Sequence, residues 1–297
     1  MKYVVYLLAL FLSVSISAKD FQLYYLSGQS NMVGFGYNNE LPGELNTANT
    51  QVMIFHGNPV GDDDPNGGHG IWTTLKPGHG FGFSSDGNTN TYSNRFGVEL
   101  SFASKLQQLD PEENIAIIKY ARGGTSLDYK ASRHGTWFPD YNDSTGLNQY
   151  DHFLATLRNA FAVHDIDGDG EVDRLIPAGI IWMQGESDAY PNEFVAKRYL
   201  ANLTEMIGLI RAALRVDDLS VVIGRIADSG QDEDGIVMDY IHIVRRAQEH
   251  FVERDFNAAI VKTTDEYGWS DKWHYDSAGY IDLGEKFAEA VHKLNLE

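Results

Sequence analysis

Cysteine is missing altogether from this chain of 297 residues, so its fold cannot rest on disulfides and it offers no thiolate to a metal. Basic runs are missing too. With 23 Lys and Arg against 42 Asp and Glu the formal charge is −19, which repels nucleic-acid phosphates and anionic lipid and argues against both as partners. There is no internal repeat and no linker to divide the chain. The apolar run at the start, MKYVVYLLALFLSVSISA over residues 1–18, is shorter than the ~20 residues that cross a bilayer. Its basic start, apolar middle and small Ala18 fit a secretory leader, with a retained anchor as the alternative. The expectation is a leader at 1–18 and a single domain over 19–297, secreted or periplasmic, with no membrane attachment once the leader is gone.

What is present suits one large core: 43% of residues are hydrophobic and 22% charged. Short β-rich apolar runs alternate with longer helix-period segments, which predicts an α/β fold, a three-layer α/β/α sandwich around a parallel sheet. Strands are expected at Phe21–Leu26, Val52–Phe55, Ile115–Tyr120, Ala178–Met183, Leu219–Ile226 and Ala258–Lys262. Helices are expected at Val98–Gln108, Tyr150–Val163, Glu193–Leu214, Tyr240–Phe251 and from about Ala278. In that last segment Tyr280, Leu283, Phe287, Val291 and Leu294 form one apolar face. Residues 56–95, rich in Gly, Asn and Asp, break the rhythm; so long an excursion is either a binding loop or disordered.

In an open parallel sheet, ligands bind beyond the carboxyl ends of the strands. After the first strand comes Gly28-Gln29-Ser30-Asn31, after the third Arg122-Gly123-Gly124-Thr125, after the fourth Gln184-Gly185-Glu186-Ser187-Asp188, and after the last Asp271-Lys272-Trp273-His274. Ser30 alone reads equally as a helix N-cap, and Asp271 with His274 as a surface turn. Together they supply a hydroxyl, an imidazole to activate it and a carboxylate to orient that imidazole. The backbone N–H groups of Ser30 and Gly123 and the Gln184 side-chain amide are available to hold an oxyanion. Loss of one such donor typically costs about 100 to 1,000 fold in turnover. Gly123 and Gly124 also suit a plain turn, and Gln184 a cap.

The succession GQSNM, ARGGTSL, WMQGESD and DKWH resembles the SGNH (GDSL-like) hydrolases, in the branch that holds acetylxylan esterases of carbohydrate esterase family 6 and sialate O-acetylesterase-like domains. The likeness spans nearly all of 19–297. It implies a flavodoxin-like strand order, Ser30 as nucleophile, His274 as general base and acid, and Asp271 as its orienter. Ser30, Gly123 and Gln184 would form the oxyanion hole, with Gln184 where other branches carry asparagine, and Asn31 and Glu186 would support the site by hydrogen bonds. Val98 stands where proline is expected. An acetylated oligo- or polysaccharide is the implied substrate, with xylan, a sialic acid or another glycan left open as the bearer of the acetyl group, and no cofactor enters the chemistry. Trp72, Trp137, Tyr129, Trp269 and Trp273 near the rim loops could stack on sugar rings or pack locally. A calcium-dependent glycan-binding protein without activity, and a lipase or thioesterase of the same fold, are the other readings.

A separate signal is Asp-Ile-Asp-Gly-Asp-Gly-Glu-Val-Asp at residues 165–173. Asp165, Asp167 and Asp169 stand at positions 1, 3 and 5 of a calcium loop, Gly170 at 6, Glu171 at 7 and Asp173 at 9. Position 12 is Ile176 instead of glutamate. The expectation is a structural calcium ion before the fourth strand, at the end of the sheet away from Ser30; a solvated acidic turn is the alternative.

Overall fold

From Leu23 to Gly28 every residue of the first strand is buried, as in a strand covered on both faces. The computed structural model describes residues 18–190 and 192–297; the leader expected at 1–18 lies, Ala18 apart, outside them. In chain order the main elements begin with β1 (Asp20–Gly28), α1 (Ser30–Val33), β2 (Asn49–His56) and β3 (Trp72–Leu75). Next come α2 (Glu99–Leu109), β4 (Asn114–Ala121), α3 (Gln149–Phe161), β5 (Arg174–Met183) and α4 (Glu186–Ala189). The chain closes with α5 (Glu193–Leu214), β6 (Val221–Gly224), α6 (Ile241–Arg254), β7 (Ala258–Val261) and α7 (Ser277–Leu296). Among the described residues no helix is long and apolar enough to cross a membrane.

The seven strands lie in the order β7-β6-β5-β1-β4-β2-β3. The run β4-β1-β5-β6-β7 is parallel and has the 2-1-3-4-5 pattern of flavodoxin-like sheets. Two features depart from the sequence reading. Strand β2 pairs outside β4, and β3 returns antiparallel against β2, so the sheet is mostly and not wholly parallel. The chemistry of β2 explains its place, since Thr50 and Gln51 are exposed and suit the sheet's margin, while the excursion after it supplies β3 to cover its free side. The expected strand at Leu219–Ile226 is also shorter, because the Ile226 N–H bonds to the Gln248 side chain and leaves the ladder.

Alternation along β1 sends neighbouring tyrosines to opposite faces. Tyr24 meets Phe102 of α2 edge-on, and Tyr25 meets Phe153 of α3, with ring centroids 5.3 and 5.0 Å apart. Helix α7 packs on α2, and α5 packs on α6. The sheet is thus flanked by helices, as expected. Asn148 and Asp151 close a reciprocal capping box at the start of α3, Asn192 caps α5, and Asp276 caps α7 through the Gly279 N–H.

The register matters most for the site. Gly28 at the end of β1 is level with Ala121 of β4 and Met183 of β5. The segments that leave these three strand ends therefore emerge on one rim.

Candidate active site

Gly28 is the pivot of that rim. Its φ is +143°, and a Cβ there would fall 1.9 Å from the Met183 carbonyl oxygen, so only glycine lets β1 and β5 approach this closely. The approach lets the Gln29 N–H reach the Met183 carbonyl at 2.9 Å, and the chain then turns into α1. Ser30 is the first residue of that short helix and is almost fully buried.

Gly123 arrives from β4. A Cβ on Gly123 would stand 3.3 Å from the Ser30 Cβ, so the Arg122-Gly123 backbone lies against the serine. Among the described residues the N–H groups of Ser30, Gly123 and Gly124 have no protein acceptor. They remain available to an oxygen brought by a ligand.

The third group comes from the loop before α7. The carboxylate of Asp271 accepts from the N–H groups of Trp273 at 2.7 Å and His274 at 2.9 Å through Oδ1, while Oδ2 meets His274 Nδ1 at 2.8 Å. Burial works to raise the Asp271 carboxyl, but its bonds to the His274 ring and the two backbone N–H groups outweigh it and hold the group below its ordinary value. The His274 imidazole is held below its ordinary value by burial, with Asp271 pulling the other way. The ring is stacked on Phe35 at 3.6 Å and 6°. No hydrogen bond joins Ser30 Oγ to His274, but the two side chains line the same cavity of about 600 Å³, and catalytic hydrogen bonds are often long until substrate is bound.

Asn31 couples these parts. Its Nδ2 donates to Glu186 Oε1 at 2.7 Å and to the Trp273 carbonyl at 3.1 Å, and its Oδ1 accepts from Tyr280 at 2.8 Å. The serine turn, α4 and the histidine loop are thus tied through one amide. Burial pushes Glu186 up to about 6 against the pull of Asn31, and Asp188 to about 6 although Gln184, Asp128 and Leu127 all donate to it.

The structure places Gln184 away from the cavity wall. Its side chain is fully buried and is not part of the cavity lining. Its amide nitrogen is spent on Asp188 Oδ2 at 2.7 Å, the Thr125 carbonyl at 3.2 Å and Gln29 Oε1 at 3.2 Å. A carboxylate, a carbonyl and an amide oxygen all draw that nitrogen inward. The residue the sequence did not single out is Gln29, which lines the cavity. Its Oε1 takes the N–H groups of Gly185 and Ser187 as well as Gln184, leaving its own amide nitrogen without a protein acceptor.

The excursion at 56–95 forms a further wall, with His56, Pro59, Phe81 and Phe83 in the lining. His56 lies flat on Phe83 at 3.9 Å and meets His79 Nδ1 at 3.2 Å. Burial, with Lys119 adding to it, holds both imidazoles well below their ordinary value, so they are neutral. Of the aromatics expected at the rim, Trp273 lines the cavity. Trp137 does not: it is wholly buried, donates to Thr125 Oγ1 at 3.0 Å and packs edge-on to Trp182. Arg122 and Arg133 bring positive charge to the lining, where His134 stands beside them.

Behind this wall lies an ion pair that sequence reading missed. Lys119 Nζ, fully buried, donates to Glu99 Oε2 at 2.7 Å, to the carbonyl of Val33 at 2.9 Å and to that of His79 at 3.0 Å. The signal was a lone lysine in the buried strand NIAIIKYA, since a lysine is almost never fully buried without a partner.

A model of the family described as carbohydrate esterase, sialic acid-specific acetylesterase, matches residues 20–293. No curated protein matches the sequence. Among solved structures, a protein of Arabidopsis thaliana is similar at 20% identity and a TM-score of 0.61, over 92% of this chain and 98% of that one. A carbohydrate acetylesterase from Xanthomonas citri is similar at 18% identity and a TM-score of 0.61, over 93% of this chain and 57% of its own. The protein NanS is similar at 16% identity and a TM-score of 0.58, over 94% of this chain and 98% of that one.

Proposed function

The chain belongs to the carbohydrate esterase family of sialic acid-specific acetylesterases, and from that premise we propose that it removes O-acetyl groups from a carbohydrate by serine ester hydrolysis. The observation that carries the mechanism is the pairing of Asp271 with His274 at 2.8 Å on the cavity that Ser30 and Gly123 also line. With Nδ1 held by Asp271, the imidazole has Nε2 left to take the Ser30 proton. The serine oxygen attacks the acetyl carbonyl. The carbonyl oxygen becomes an oxyanion held by the Ser30 and Gly123 N–H groups, with the Gln29 amide nitrogen as third donor. Gln184 then has the role of fixing Gln29. Collapse of the tetrahedral species breaks the bond to the sugar oxygen, which leaves with the proton from His274. Water, deprotonated by the same ring, attacks the acyl-enzyme and releases acetate and free Ser30.

For the substrate, Arg122 and Arg133 in the cavity lining favour an acidic sugar over neutral xylan, against a chain whose overall charge is −19. An exported location follows from the sequence pattern of residues 1–18 and rests on that pattern alone. The test is hydrolysis of an aryl acetate by the protein and its Ser30→Ala variant, both shown folded by circular dichroism, followed by acetate release from acetylated sialic acids and acetylated xylan. A variant slowed by several orders of magnitude is expected; equal rates in both proteins overturn the mechanism. Faster release from xylan overturns the acidic-sugar reading, and an optimum at long acyl chains overturns the acetyl assignment.

A further inference from the structure

The loop that joins α3 to β5 carries Asp165, Asp167, Asp169, Glu171 and Asp173 within nine residues. Facing them, the Lys19 Nζ lies 2.5 Å from Asp167 and 2.6 Å from Asp169. Carboxylate oxygens of Asp165, Asp167 and Asp173 lie within 4.8 Å of one another. Acidic clusters of this kind are common on protein surfaces, and the decisive feature is Asp173. Its exposure is only 9%; one oxygen accepts the Ile166 N–H at 2.8 Å, while the other is buried with no hydrogen-bond partner at all. Lys19 forms no ion pair with Asp173 or Asp165. A buried, unpartnered carboxylate oxygen costs free energy unless a cation meets it, and this one belongs to a group whose other oxygens converge.

We propose that Asp165, Asp167 and Asp173 hold a calcium ion, with Asp169 as a further ligand once Lys19 is displaced. The donors are all oxygens and several are carboxylates, the set a hard cation takes; calcium's tolerance of 6–8 flexible ligands suits an exposed loop better than magnesium's rigid octahedron. Asp165 is already oriented, because its carboxylate accepts the Gly168 and Gly170 N–H groups at 2.7 and 2.9 Å. The site opens β5 at Arg174, while Gln184 and Glu186 lie beyond the other end of that strand at Met183. At about 3.3 Å per residue the ion sits roughly 30 Å from the cavity, so it braces the strand without reaching substrate.

The experiment is calorimetric titration of calcium chloride into the purified protein stripped of metal by a chelator, with melting temperature and aryl acetate turnover measured alongside. An affinity of ~10⁻⁴ to 10⁻³ M is expected, with a rise in melting temperature of about 3–10 °C at ~10 mM calcium and turnover at 25 °C unchanged. Asp173→Asn retains an acceptor for the Ile166 N–H, and Asp167→Asn tests the same site from a half-buried position; each is expected to weaken binding at least tenfold. The proposal is overturned by absence of heat and of stabilisation up to 10 mM. It is equally overturned by undiminished binding in both variants, or by magnesium chloride giving the same rise at equal concentration.

Discussion

Glu99→Gln is expected to be among the most damaging single-atom changes available in this protein. Glu99 uses Oε2 for the Lys119 ammonium and Oε1 for the Gly97 N–H. An amide has only one oxygen, so in either orientation its NH₂ faces a donor. Lys119 is fully buried, and burial already pushes it down against the opposing pull of Glu99. Without the carboxylate it stays a buried unpaired cation or loses its proton, and discharging an ordinary lysine at pH 7 costs about 1.36 kcal/mol for each of roughly 3.5 pH units, or ~5 kcal/mol. Removing one partner of a buried pair generally costs about 3–5 kcal/mol, so the two routes agree. Urea unfolding at pH 7 should show that loss, and melting should fall by about 6–20 °C.

The pH dependence is diagnostic. In the variant the folded state binds one proton fewer than the unfolded state at pH 7–9, so stability should rise with pH by about 1.4 kcal/mol per unit relative to wild type. A loss below ~1 kcal/mol would refute the burial argument, and a penalty flat across pH 7–9 would refute the discharge. Replacing the pair by Leu and Met should not restore stability. Lys119 also satisfies the carbonyls of Val33 and His79, and each buried group left unpaired costs about 1–3 kcal/mol.

Two further predictions concern turnover. Because burial holds His274 below its ordinary value, the protonated, inactive ring should give way to the active base below the usual imidazole range, and kcat/KM should already be level at neutral pH. In Asp271→Asn the attraction that opposes burial is gone, so the acid limb should move further down while kcat falls by about 10²–10⁴ fold; pH–rate profiles of both proteins decide, and an acid limb shifted upward would refute the assignment. In Gly123→Ala the new methyl meets the Ser30 Cβ at 3.3 Å, and displacement of a reacting group by even ~1 Å can cost on the order of 100 fold. Turnover of an aryl acetate should therefore fall ten- to a hundredfold with melting temperature within a few degrees; unchanged turnover would show that the glycine does not bear on the serine.

Periodicity and strand-end position made the strands Phe21–Leu26 and Ile115–Tyr120, the helix at 193–214 and the groups Ser30, Asp271 and His274 legible in the sequence. These depend on local chemistry: apolar runs, and polar residues immediately after them. The features that stayed hidden depend on pairing across the chain. That Gln184 turns inward follows from Asp188, Thr125 and Gln29 lying together beneath the rim, and no spacing rule reports that. Trp137 stands near a rim loop in the sequence, but its indole N–H has a buried partner in Thr125. Strand β3 was invisible because four residues, Trp72–Leu75, are too few for alternation to declare itself, and its pairing with β2 is the feature that makes it a strand.

The three-position spacing from Asp271 to His274 fixes more than their distance. Acid and imidazole sit on one tight turn, closed by two backbone N–H bonds to the same carboxylate, so any displacement of that turn carries both and leaves their mutual bond untouched. The Asn31 bond to the Trp273 carbonyl then ties the turn to the serine's own helix. The Ser229 hydroxyl on the Lys272 carbonyl and the Lys272–Asp232 pair hold the same turn from its other side, so the separation between Ser30 and the imidazole is set by contacts that reach well beyond the loop. Whatever moves that turn as a unit changes how far a proton must travel from Ser30, while the bond between Asp271 and His274 travels with it.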